Sequence, residues 1–278
     1  MKTRITTMLV ALVMVLSMTT TAFAAQTVPP VDPMASVTEL PQNPLTEEAF
    51  QTVFLYAAKN ALTSVTVSYS LPYQDSYKAE ITSLLGKTLN GFTYRYPEYF
   101  NYLRKVAFTT VKEANGFSIV LTFNSKAGVE DTEAMLSRRA TADAKVLGAY
   151  NNLRTSGALK DGMTEKQRAR AILDWVCANV AYKDDNTLIS HTAYGALVNG
   201  TAVCDGYSSL YQSLLRLDGI RCWGQKGNAV ANNECHHWTV AILDGVQVNI
   251  DASWSDSPKS GDTYFAVSDD AFRLTHKW

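Results

Sequence analysis

The 278-residue sequence lacks an excess of charge of either sign: 25 lysines and arginines stand against 26 aspartates and glutamates, a formal net charge of −1. That balance, with no lysine-arginine cluster, leaves no electrostatic footprint for nucleic acid and no basic patch for a membrane surface. No long hydrophobic run follows the N-terminal segment, so no membrane span is expected beyond it. There is no glycine-rich phosphate loop and no calcium-loop pattern. Cysteine is scarce. Cys177, Cys204, Cys222 and Cys235 are the four, and no two have the C-x-x-C spacing of a zinc ribbon or a thioredoxin-type site. No metal and no cofactor is therefore expected. What remains is a globular composition, 46% hydrophobic and 18% charged, long enough for one large domain or two small ones.

The first 24 residues stand apart. Lys2 and Arg4 precede a short apolar stretch, Met8 to Met18, and Ala22-Phe23-Ala24 offers a small-x-small cleavage site. This is the pattern of a secretory signal peptide; the apolar stretch is short of the ~20 residues a span requires. Residues 1–24 are read as a signal, and the mature protein as secreted or held at the cell surface. Residues 25–44 hold five of the eight prolines (Pro29, Pro30, Pro33, Pro41, Pro44) and read as a linker.

Residues 45–127 read as a small α/β unit. Thr46-Glu47-Glu48 opens a helix with carboxylates at the positive end of the dipole. Ser64 to Ser70 alternates like a strand. Asp75 to Leu89 reads as a helix closed near Gly91. Tyr94 to Phe100 is aromatic-dense and broken by Pro97. Val106–Val111 and Phe117–Phe123 read as strands around an Asn115-Gly116 turn. This unit has no cysteine and no histidine, so packing or substrate positioning is its expected role.

Residues 128–278 carry the chemistry. A helix is expected over about 130–153, and another from Thr164, whose Thr164-x-x-Gln167 spacing is a capping box. Cys177 lies near the apolar stripe of that helix and reads as a buried thiol. Next comes GTAVCDGY, Gly200 to Tyr207. Tyr207, Leu210, Tyr211, Leu214 and Leu215 follow helical spacing, and Cys204 projects onto the same face at the start of that helix. Free N–H groups and the dipole there favour a thiolate and can hold an oxyanion. A nucleophilic cysteine also needs a base, normally an oriented histidine.

HHWTVAILDGVQVNIDASW, His236 to Trp254, reads as two strands joined by an Asp244-Gly245 type I′ turn. A two-residue turn sets Leu243 opposite Val246. It puts Asp251 on the face of His236, diagonally adjacent, and His237 on the other face. His236 is then the base and Asp251 its orienter; a three-residue loop would exchange His236 for His237. His276 lies near the C-terminus and His191 in a loop before Tyr194.

With VCDGYSSLYQSLL, HHW and NIDASWSD in this order, the sequence resembles the transglutaminase-like superfamily. The resemblance runs from about Asp161 to Asp256, including AYGALVNG at Ala193 to Gly200. It implies an α+β, papain-like core in which a cysteine-bearing helix packs on an antiparallel sheet, and a triad of Cys204, His236 and Asp251. Thr239 stands where many members have asparagine, and His237 where alanine is common. The 45–127 unit is similar to segments that precede this domain in exported bacterial members. The implied activity is acyl transfer from a peptide or protein amide, cell-wall peptides included, with hydrolysis favoured. Protein cross-linking and a silent peptide-binding module are the alternatives.

Other readings stay open beside this one. Cys204 could be structural. A zinc site from Cys204, Cys222, Cys235 and a histidine is chemically possible. Cys222 and Cys235 could form a disulfide in an exported protein. Trp238 and Trp254 could wall a substrate site or fill the core. Tyr194, assigned to substrate binding, and His191 are candidates for a second oxyanion donor. The sequon Asn199-Gly200-Thr201 lies so near Cys204 that it reads as incidental.

Overall fold

The structure is a computed structural model that describes residues 39–60, 62–95, 105–124, 132–257 and 260–278. The signal-like residues 1–24, most of the proline-rich segment and the 96–104 stretch lie outside them. No helix among the described residues is long and apolar enough to cross a membrane.

Two elements of the first unit are helices, α1 (Glu47–Lys59) and α2 (Ser76–Arg95). Thr46 caps α1, its Oγ1 accepting the Ala49 N–H at 3.1 Å, and Phe50, Val53, Phe54 and Ala57 form the buried face. Helix α2 runs through Gly91 rather than stopping there. Strands β1 (Ser64–Tyr69), β2 (Lys105–Glu113) and β3 (Gly116–Asn124) make an antiparallel sheet in the order β1-β3-β2. Glu113 pairs with Gly116, so the hairpin turns at Ala114-Asn115, one residue earlier than the Asn-Gly pair suggests. Gly116 belongs to β3, where a Cβ would lie 2.1 Å from Tyr69 O of β1. Close strand approach, not the turn, requires that glycine.

The second unit has its own core. Helices α3 (Thr132–Thr155) and α4 (Glu165–Asn179) lead to a short parallel pair, β4 (Ala181–Tyr182) with β5 (Thr201–Ala202). Between those strands lie a 3-10 turn, Ile189–His191, and a π-helical turn, Gly195–Asn199. Helix α5 (Cys204–Leu217) follows, then β6 (Cys222–Ala229), β7 (Cys235–Leu243), β8 (Val246–Ile250), the short helices α6 (Ala252–Ser255) and α7 (Asp269–Phe272), and β9 (His276–Lys277). The sheet runs β8-β7-β6-β9, with neighbours antiparallel. Tyr207, Leu210, Tyr211, Leu214 and Leu215 are fully buried, so α5 is the central helix against the sheet. Burying such side chains contributes about 1.5–3 kcal/mol each for the aliphatic ones.

Two local devices set the geometry downstream. Thr164 and Gln167 close a reciprocal capping box at α4. Asp244 and Gly245 both have positive φ, 51° and 82°, as a type I′ turn requires, and Leu243 pairs with Val246. The tip of this hairpin also docks on α4: Asp244 Oδ1 accepts the Glu165 N–H at 2.9 Å, and its own N–H donates to Glu165 Oε2 at 2.6 Å.

Candidate active site

Cys204 is the first residue of α5. Its N-cap, Val203, provides no capping side chain, so the first-turn N–H groups remain for other acceptors. The 3-10 turn packs against this first turn through Gly206. A Cβ on Gly206 would lie 2.4 Å from Ser190 O and 2.8 Å from Ala202 Cβ. Gly206→Ala is therefore expected to destabilise the protein by about 1–3 kcal/mol, the usual cost of overpacking, read as a lower urea midpoint; an unchanged midpoint contradicts this packing.

Burial pushes the Cys204 thiol well up from its ordinary value, and the nearby Asp205 and Asp251 carboxylates push the same way. Backbone N–H groups of His237 and Asp205 bond the sulfur and oppose the rise. The sulfur can therefore give up its proton only to a base that remains beside it. Asp205 is itself engaged: both of its oxygens lie 2.8 Å from His191 Nδ1. His191 thus tethers the neighbouring carboxylate.

Across from α5, β7 carries His236 and His237, both buried. His236 Nε2–H donates to Asp251 Oδ2 at 2.7 Å, as the hairpin parity implies. Asp251 follows β8 directly and caps α6. Its other oxygen, Oδ1, accepts the Ser253 hydroxyl at 2.8 Å and the Trp254 N–H at 3.0 Å. A fourth donor was not anticipated from the sequence: His276 Nε2–H, at 3.1 Å from Oδ2. Asp251 is fully buried. Burial alone would raise its carboxyl, but the hydrogen bonds from His236 and His276 outweigh it and hold the group well below the usual carboxylate range. The ligating atoms of His236, Asp251 and His276 lie within 4.8 Å of one another, a donor set a divalent cation can use, but here they are hydrogen-bonded together.

The sequence-assigned binding residues separate on inspection. Trp254 is partly exposed, its ring 4.7 Å from that of His236. With Tyr182, Ser253, Ser257, Ser260, Thr263 and Tyr264 it lines a cleft of about 580 Å³. Trp238 is a correction: it is fully buried, and its indole N–H donates to Asn249 Oδ1 at 3.0 Å. Its ring packs on Phe272, His276 and Trp278, so it is core and has no surface for a substrate. Tyr194 is half-buried and precedes the π-helical turn. The tyrosine the sequence did not suggest is Tyr182, 56% exposed. The β4–β5 register sets it opposite Ala202, two residues before Cys204. Burial, then the charge of a Cys204 thiolate, raises its phenol to about 12.

The remaining cysteines do not join this cluster. All four are free. Cys222 pairs with Ala241 and Cys235 with Asn228, at opposite ends of the β6–β7 ladder, about 20 Å apart at strand rise. That separation rules out both the Cys222–Cys235 disulfide and the Cys204–Cys222–Cys235 zinc set. Cys177 Sγ donates to Ala252 O at 3.6 Å; burial, then Asp256, pushes its thiol up to about 12.

The profile of the transglutaminase-like superfamily matches residues 154–254. Those residues form a transglutaminase-like domain. Its cysteine-bearing helix on an antiparallel sheet is the α+β, papain-like arrangement. Human kyphoscoliosis peptidase is 26% identical over 115 residues, 36% of this chain and 17% of that protein; the chain thus matches less than a fifth of that relative's length. Among solved structures, a TGase superposes with a TM-score of 0.37 at 8% identity, covering 75% of this chain and 55% of that one. A candidate cysteine protease from Cytophaga hutchinsonii does so with 0.33 at 17%, covering 54% and 62%. In the transglutaminase-like domain, the matched range ends at Trp254 and leaves out β9, which carries His276.

Proposed function

We propose that the protein is an exported cysteine peptidase or amidase acting on peptide or protein amides, cell-wall peptides included. The observation that carries the reading is the buried 2.7 Å bond from His236 Nε2 to Asp251, together with Cys204 at an uncapped helix N-terminus, its sulfur bonded by the backbone N–H of His237, the neighbour of His236. Asp251 fixes the Nε2–H tautomer, which leaves Nδ1 as the base nitrogen. Cys204 Sγ attacks the amide carbonyl carbon while its proton passes to His236 Nδ1. The oxyanion accepts the Cys204 N–H. The imidazolium protonates the leaving nitrogen, the C–N bond breaks, and a thioester remains. Water, deprotonated by His236, then attacks the thioester; the carboxylic acid leaves and the proton returns to sulfur.

Water is favoured as the acceptor because the cleft wall is open: Tyr182 is more than half exposed, and amine transfer profits from a site that keeps water out. Peptide amides incubated in ¹⁸O-labelled water with a competing primary amine test this. Labelled carboxylate as the main Cys204-dependent product is expected. A dominant amine adduct would replace hydrolysis with cross-linking chemistry. Neither product, with peptide still retained by the protein, would point to a binding module.

A further inference from the structure

We propose that His276, on the last strand, is a positioning residue for the triad, acting through Asp251; the inference rests on the nucleophilic reading of Cys204. His276 is fully buried, and nothing in its packing requires a histidine. Its ring stacks on Phe272 at 3.7 Å and 14° and meets Trp238 edge-on at 4.9 Å, contacts that phenylalanine would also make. What phenylalanine lacks is the Nε2–H that donates to Asp251 Oδ2 at 3.1 Å.

That donor completes a set. Oδ1 has two donors, Ser253 and Trp254, and Oδ2 has two, His236 and His276. With both oxygens held, the carboxylate plane cannot rotate about χ2, and the His236 ring it bonds inherits a fixed orientation. Without His276, Oδ2 is held only by the His236 ring it is meant to orient, and the pair is restrained less tightly. The Asp251 carboxylate, an acceptor only, specifies the tautomer by requiring the proton on His276 Nε2; Thr275 Oγ1 lies 2.9 Å from Nδ1 on the other side of the ring.

The sheet brings the two histidines together. His236 pairs with Gly227 on β6, and His276 pairs with Ala229 two residues along, so both rings stand on one face, 5.4 Å apart. A Cβ at Gly227 would lie 2.2 Å from Lys277 O and 2.6 Å from the Trp238 ring. Glycine at that position is what lets β9 close in and Trp238 lie beneath His276.

The test compares His276→Phe, which keeps the ring and loses the donor, with His276→Gln, which keeps an N–H donor and loses the stack. Iodoacetamide is the probe, and the readout is the Cys204 alkylation rate at pH 7 relative to the exposed Cys235 of the same chain. His276→Phe is expected to lower the ratio about ten-fold or more, on the scale of small misplacements at active sites, and His276→Gln to stay within about three-fold of wild type. In an Asp251→Asn background, His276→Phe should add nothing, the non-additivity of residues acting in one path. If Phe does not fold, Met takes its place against Gln at similar length, with the same expectation. The reverse order, or equal ratios for both variants and wild type, overturns the inference and leaves His276 as packing. A wild-type ratio no higher than one removes instead the nucleophilic reading beneath it, and the inference with it.

Discussion

His236→Ala is expected to lower turnover of a peptide amide by about 10²–10⁴-fold at pH 7, the range that a positioned acid-base group supplies. The effect should be large because the surroundings of the sulfur disfavour a lone thiolate. Burial, then the Asp205 and Asp251 carboxylates, hold the thiol up, so unassisted ionisation at Cys204 is suppressed. A thiolate formed together with a His236 imidazolium escapes that penalty, since the new charges form a pair and Asp251 stabilises the cation. The variant should fall mainly in kcat, because His236 handles protons in both half-reactions while the cleft wall of Tyr182, Trp254 and Tyr264 is untouched. A rate within three-fold of wild type would mean that another group takes the proton.

Asp251→Asn is the second large effect, and it reaches stability as well as rate. Asn presents one oxygen and one NH₂ where the protein directs four donors at a carboxylate. Placing an amide NH₂ against N–H groups leaves buried donors unpaired, at a cost on the order of 3 kcal/mol. The pH dependence has a definite sign. The folded carboxyl is held below its ordinary value, mainly because the bonds from His236 and His276 outweigh burial. Its stabilising contribution is therefore complete above the unfolded carboxylate value of about 3.9 and is lost as pH falls through the lower folded value. Urea unfolding of wild type and variant should show a gap at pH 6 that narrows below about pH 4. A gap that widens with acid contradicts the account. The rate should fall by about 10²–10⁴-fold, as when a triad histidine loses its orienting carboxylate.

The legible parts of this molecule are those set by short-range rules. The capping box at Thr164 is local chemistry, and the Asp244-Gly245 turn sets the whole β7–β8 register, which brings His236 within reach of Asp251. Helix α5 was readable from its apolar spacing. The misses share a different cause. His276 reaches Asp251 only because two-residue β9 pairs with β6, some 47 residues back in sequence, and a two-residue strand has no periodicity to read. Tyr182 sits beside Cys204 through an equally short strand. Trp238 stands next to His237 in sequence, yet it shares the His236 side of the sheet, where the rings of Phe272, His276 and Trp278 cover it rather than leaving it open to substrate. The disulfide reading failed for a topological reason: antiparallel pairing of β6 and β7 sends Cys222 and Cys235 to opposite ends of one ladder. Glycine misled at two places, since Gly91 lies inside α2 and Gly116 answers to β1 rather than to a turn.

The most direct test of the central claim, that His236 activates Cys204, is a timed iodoacetamide labelling of the wild-type protein at pH 7, with each cysteine quantified by mass spectrometry. The four thiols provide their own scale. Cys177, pushed up to about 12, and buried Cys222 should stay nearly unlabelled, and exposed Cys235 marks ordinary access. The account predicts that Cys204, although less exposed than Cys235, is labelled at least about ten-fold faster, and that His236→Ala brings it below Cys235. Labelling of Cys204 slower than Cys235 in the wild type, and unchanged in His236→Ala, would contradict it.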